Sequence, residues 1–207
     1  MSISTNNPQG SAAVVTPEEL RTVVFNLPNQ LTWLRLGLAV VMFGLIAFEY
    51  YAASLVLFVV AASTDWLDGY FARKYNLVTT LGRILDPFAD KVIICGTFIY
   101  LAAIPGSGIR PWMAVVIVGR ELLVTALRSF LEQQGADFSA TLSGKLKMVL
   151  QCVAASVSLF CLAWPKLATE GGDALAWILT ASVWSAVLLT VISGVAYVRS
   201  AVSLLRR

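Results

Sequence analysis

Apolar residues fill this chain in six long runs separated by short polar breaks. A bilayer crossing needs roughly 20 apolar residues in a helix. On that measure the runs predict spanning helices over 31–49, 52–73, 83–104, 111–131, 146–164 and 174–198. The break at Glu49-Tyr50-Tyr51 is very short, so the first two helices should form a tight hairpin. Pro105-Gly106-Ser107-Gly108 and the stretch 165–173 supply the other turns on that side. Ahead of the first run, Thr16-Pro17-Glu18-Glu19 reads as a helix start: a capping threonine, proline at the first helical position, then acids. The next residues, LRTVVF, predict a short amphipathic helix lying at the interface, broken by Asn26-Leu27-Pro28-Asn29. Residues 1–16 are small and polar, with no basic start and no apolar core, which predicts a disordered tail and not a signal peptide. The pattern as a whole predicts an all-α polytopic membrane protein with one membrane domain over 17–207 and no internal repeat.

Composition sharpens this. Hydrophobic residues make up 58% of the chain and charged residues 13%, whereas soluble domains carry roughly a quarter charged. There is no histidine, which removes the usual general base, the usual zinc ligand and any Ser-His triad. Carboxylates, lysines and arginines must carry any chemistry. Cys95, Cys152 and Cys161 all sit in apolar runs without CxxC spacing and read as buried reduced thiols. Of the 15 lysines and arginines, only Arg110 and Lys166 fall on the side of the Pro105 turn. The basic side is therefore expected to be cytoplasmic, with both termini inside. Topology thus accounts for the net charge of +3, with no need for a nucleic-acid partner.

Against this apolar background, the run DWLDGYFARKYNLVTTLGRILDPFAD holds four aspartates: Asp65, Asp68, Asp86 and Asp90. Carboxylates near lipid are costly, and in a membrane helix they mark function. Asp65 and Asp68 are three apart and Asp86 and Asp90 four apart, so each pair lies on one helical face. Two such pairs facing inward suit one or two Mg2+ or Mn2+ ions, which prefer oxygen ligands. Gly69 and Gly82 are in phase with the aspartates, so a bulky ligand could approach the backbone there.

The run Asp65-x-x-Asp68-Gly69-x-x-Ala72-Arg73, eight residues, Gly82-x-x-x-Asp86-x-x-x-Asp90 resembles the full signature of the CDP-alcohol phosphotransferase family. The resemblance extends from Asn26 to the sixth run. It implies six transmembrane helices, a cytoplasm-facing site in a bacterial inner or plasma membrane, a divalent metal and a CDP-linked lipid donor. It assigns Asp65, Asp68 and Asp86 to the metal, and Asp90 both to the metal and to proton removal from the acceptor hydroxyl. Gly69, Ala72, Arg73, Thr79 and Gly82 match the nucleotide-facing part of the family site. Asn29 and Thr32 match the segment that meets the cytidine end, although both also suit a helix cap.

The signature reads the donor and leaves the acceptor open. Arg120, Arg128, Lys145 and Lys147 would form a cationic cluster suited to a phosphate on the acceptor. Lys145 and Lys147 are ~200° apart on a helix, so one of them should point inward, with Lys145 the favoured one. Arg120 and Glu121 should both face a polar cavity. Val118-Gly119-Arg120-Glu121, the later Arg128, the GKxK element and the opening NLPNxLTxLR resemble the phosphatidylglycerophosphate synthase branch of the family. That implies CDP-diacylglycerol as donor and sn-glycerol 3-phosphate as acceptor. An inositol phosphate, or phosphatidylglycerol as in cardiolipin synthases, is the alternative acceptor. A divalent-cation transporter is the alternative from another class, but the outer halves of the runs carry no acidic ladder. Relatives are often homodimers, and small residues at Ala154, Ala155, Ser156, Ser193 and Gly194 permit close helix packing.

Overall fold

The computed structural model describes the backbone of residues 27–75, 80–133, 142–170 and 173–205, and side chains over 33–63, 88–131, 146–167 and 173–203. The expected tail, the interfacial helix after Thr16, Thr79 and Arg206-Arg207 lie outside the described residues. The elements are α1 (Leu27–Ala47), α2 (Tyr51–Tyr75), α3 (Thr80–Ala102), α4 (Pro111–Gln133), α5 (Leu142–Ala163), α6 (Pro165–Glu170) and α7 (Asp173–Leu205). All six apolar runs are therefore helical, and the described residues contain no strand.

Among the described residues, two helical stretches, Leu146–Ala163 and Asp173–Ser203, are long and apolar enough to cross a membrane by themselves, and Trp33–Ala47 and Tyr51–Ser63 are shorter apolar stretches. Charge breaks up the apolar runs of two other helices. Arg83, Asp86, Asp90 and Lys91 interrupt α3, and Arg120, Glu121 and Arg128 interrupt α4. The outer surface is apolar: Val40, Val115 and Trp177 are each 70% exposed, and Phe48 is 77% exposed. Such a surface belongs against lipid or protein, and it marks a membrane-associated molecule. The helix α7 has 33 residues, about 50 Å at 1.5 Å per residue. That exceeds a hydrocarbon core of about 30 Å and runs past the expected end at residue 198.

Helix contacts trace two rings that share a wall. One ring runs α1–α2–α5–α3 and back to α1; the other runs α3–α4–α7–α5 and back to α3. The α3–α5 contact belongs to both. Consequently α2 and α3, which carry the aspartates, share α1 and α5 as neighbours. Helical periodicity fills the interior: Ala39, Met42 and Ile46 of α1, Ile94, Phe98 and Leu101 of α3, and Ala154, Ala155 and Leu159 of α5 are all buried.

The tight first hairpin is closed by Glu49, whose φ of 64° puts it in the left-handed region. There Tyr50 N–H reaches back to the Leu45 carbonyl at 2.8 Å, the pattern of a helix ending on a left-handed residue. The α3–α4 turn is held differently. Gly108 has φ 74°, Ser107 is buried, and the Ser158 hydroxyl of α5 donates to the Ser107 carbonyl at 2.7 Å.

Candidate active site

The inward stripes of α4 and α5 change character along their length. On α4 the buried positions Met113 and Ile117 are followed, one turn later, by Glu121. On α5 Lys147 and Gln151 precede Ala154 and Ser158. A polar end of the bundle follows directly from this order. There a pocket opens between three helices, lined by Asp90, Lys91 and Ile94 of α3, Glu121 of α4, and Lys147, Met148 and Gln151 of α5. Its volume open to water is about 30 Å3, where a single water needs roughly 10–15 Å3 on that measure. Asp90 and Lys91 are half-buried, whereas Glu121 and Lys147 are buried at 7% and 6% exposure.

The floor of this pocket is an ion pair. Lys147 Nζ donates to Glu121 Oε1 across the second ring. Arg120 Nη1 approaches the same oxygen at 3.4 Å, so one carboxylate sits between two cations. Burial is tolerable for such charges only when they are paired and hydrogen-bonded. Beside the pair, Gln151 Nε2 donates to Thr190 Oγ1 at 3.1 Å, tying α5 to α7.

Arg120 turns towards α7 and does not line the pocket. Its Nη2 donates to Ser193 Oγ at 2.9 Å, and its guanidinium lies 5.7 Å from the centre of the Tyr197 ring. Gly194 makes this approach feasible, since a Cβ there would stand 3.1 Å from Arg120 Cγ. Arg120 Nε is buried with no hydrogen-bond partner among the described residues.

Of the expected site residues, Asp90 and Lys147 come together in the pocket, and Arg120 stands next to it through Glu121. Arg128 is exposed further along α4. The inward lysine in the described structure is Lys147, where the sequence favours Lys145; the Lys145 side chain lies outside the described residues. So do the side chains of Asn29, Thr32, Asp65, Asp68, Gly69, Ala72, Arg73, Gly82 and Asp86, together with Thr79. Helical backbone runs through Asp65, Asp68 and Asp86. Among the described residues no three metal-ligating side chains cluster. An all-oxygen set on two helices would suit Mg2+ or Mn2+, and of the four expected ligands Asp90 is the one whose side chain is described. Sequence reasoning passed over Lys91 and Gln151. Gln151 was detectable as a lone amide in an apolar run, four residues after Lys147 and so on its face.

Comparison with known proteins bears on this arrangement. A family model described as CDP-alcohol phosphatidyltransferase matches residues 25–192. A Bacillus subtilis (strain 168) protein named CDP-diacylglycerol–glycerol-3-phosphate 3-phosphatidyltransferase is 35% identical over 190 residues, covering 84% of this chain and 94% of its own. A Rickettsia bellii (strain RML369-C) protein of the same name is 34% identical over 184 residues, again covering 84% and 94%. An Arabidopsis thaliana protein with that name and the number 2 is 32% identical over 164 residues, covering 72% of this chain and 70% of its own. The match takes in the aspartate run, the pocket and most of α7, and the chain belongs to the CDP-alcohol phosphatidyltransferase family.

Proposed function

We propose that this chain transfers the phosphatidyl group of CDP-diacylglycerol to sn-glycerol 3-phosphate, giving phosphatidylglycerol phosphate and CMP. The reading rests on one observation above others: Asp90, the last aspartate of the signature, opens onto the same pocket as a buried lysine. A carboxylate that can take a proton thus stands beside cationic groups that suit an anionic acceptor. The similarity to relatives named for this reaction, over most of their length, supports it.

In this reading the acceptor's 1-hydroxyl oxygen attacks the β-phosphorus of the donor in line. Its proton passes to an Asp90 carboxylate oxygen, and the bond from phosphorus to the bridging oxygen breaks with its electron pair leaving on CMP. A divalent cation held by Asp65, Asp68, Asp86 and Asp90 would neutralise charge on the phosphoryl oxygens and on the leaving nucleotide. Asn29, Thr32, Gly69, Ala72, Arg73, Thr79 and Gly82 hold the CDP end. Arg120, Arg128, Lys145 and Lys147 give the acceptor side its positive character, and of these Lys147 lines the pocket. No covalent enzyme intermediate is required. The six long helices span the membrane with both termini and the pocket on the cytoplasmic side, and the protein works as a homodimer in the bilayer.

The test is CMP release by the purified protein in detergent, with CDP-diacylglycerol, Mg2+ or Mn2+, and acceptors offered one at a time. Release with glycerol 3-phosphate alone is expected. Release only with an inositol phosphate or with phosphatidylglycerol would keep the chemistry and replace the acceptor. Silence with every acceptor, from protein shown to be folded, would sink the reading.

A further inference from the structure

The cations at the pocket are not equivalent. Lys147 gives its charge to Glu121. Arg120 faces Ser193, Tyr197 and the same carboxylate, and it does not line the pocket. Lys91 does line it, half-buried on α3, and among the described residues it makes no hydrogen bond or ion pair. An ammonium left in a partly dehydrated pocket without an anion is unfavourable unless a ligand supplies one. The lining otherwise holds Asp90 and the closed Glu121–Lys147 pair, so among the described residues the cation open to an incoming phosphate in this pocket is Lys91.

We infer that Lys91 receives the phosphate of the acceptor and thereby selects a short phosphorylated alcohol, an inference that rests on the proposed function. Lys91 follows Asp90 on the same helix, and both line one pocket. A ligand whose phosphate sits on Lys91 therefore keeps its reacting hydroxyl within reach of Asp90 only if the two groups are a few bonds apart. A three-carbon alcohol phosphate meets that condition. The Glu121–Lys147 pair then serves as a polar floor with both donor and acceptor atoms for the remaining hydroxyl.

The experiment is steady-state kinetics of the full chain in detergent with CDP-diacylglycerol and glycerol 3-phosphate. Lys91→Met keeps the apolar stem and removes the charge. It should raise the acceptor KM about ten- to a hundredfold, the loss expected for one charge-assisted contact. The donor KM should stay within about twofold, which also shows that the variant is folded, and Lys91→Arg should recover most of the acceptor KM. Lys91→Gln, shorter and polar, repeats the test if the methionine variant does not fold. An unchanged acceptor KM overturns the inference, as does a fall in kcat alone. A donor KM that rises in step would move Lys91 to the CDP end and overturn it equally. Silence of the unaltered protein with glycerol 3-phosphate would instead sink the functional reading beneath it, a result visible before any variant is made.

Discussion

Lys147 of α5 and Glu121 of α4 meet across a ring of four helices, and each side chain is more than nine-tenths withdrawn from solvent. The pair bridges α4 and α5, each of which packs against both α3 and α7. Removing one partner should strand the other. Glu121→Ala leaves a buried ammonium and a guanidinium sharing no carboxylate, and should cost about 3–5 kcal/mol. The double change Glu121→Leu with Lys147→Met should recover most of that stability, because similar apolar volumes fill the same space. Thermal unfolding of the three proteins in detergent checks this. A double variant no more stable than Glu121→Ala would show that the pair is not the unit.

Asp90 is the member of the signature whose side chain lines the described pocket. Asp90→Asn keeps shape and loses the ability to accept a proton. Turnover should fall at least a hundredfold, in the range associated with a positioned base, while CDP-diacylglycerol binding persists. Near-normal turnover would remove Asp90 as the base.

Much of this was legible in the sequence, for identifiable reasons. The six runs became helices because a long apolar run that satisfies its backbone internally can pack its apolar face against neighbouring helices. The Glu49 hairpin was readable from its length, although the left-handed residue that closes it was not, since glutamate gives no hint of positive φ. Arg120 and Glu121 were both expected to face a polar cavity; Glu121 does, whereas Arg120 turns to α7. The direction of Arg120 was not readable. It depends on Ser193, Gly194 and Tyr197, more than seventy residues away, and periodicity says nothing about which distant hydroxyl a guanidinium will find. For the same reason the choice between Lys145 and Lys147 needed the partner at Glu121.

Two turn residues with positive φ should respond in opposite directions. Glu49 carries a side chain at φ 64°, where glycine is unstrained. Glu49→Gly should therefore raise the unfolding temperature slightly, by an effect under about 1 kcal/mol. Gly108 sits at φ 74°, and a Cβ there would stand 2.9 Å from Leu179 Cγ of α7. Gly108→Ala should destabilise by about 1–3 kcal/mol, from backbone strain and the forced shift of Leu179 together. Thermal melts of both variants test the pair. An alanine at 108 that melts at the original temperature would mean that the turn relaxes without cost.

Arg120 offers the sharpest separation between holding the fold and holding the acceptor. Its guanidinium bonds Ser193 at 2.9 Å and lies over Tyr197, so Arg120→Ala should loosen the α4–α7 contact and lower the unfolding temperature. Its 3.4 Å approach to Glu121 also shares that carboxylate with Lys147. Once Arg120 is gone, Glu121 should bind Lys147 more tightly, and the polar floor that the pair offers the acceptor's remaining hydroxyl should be a poorer partner. A higher acceptor KM with an unchanged donor KM is the expected result. Arg120→Lys keeps the charge but not the planar fork that serves Ser193 and Glu121 at once. Its acceptor KM should therefore fall between those of the other two proteins. If both variants lose thermal stability while the acceptor KM stays fixed, Arg120 braces α4 against α7 and has no part in the acceptor site.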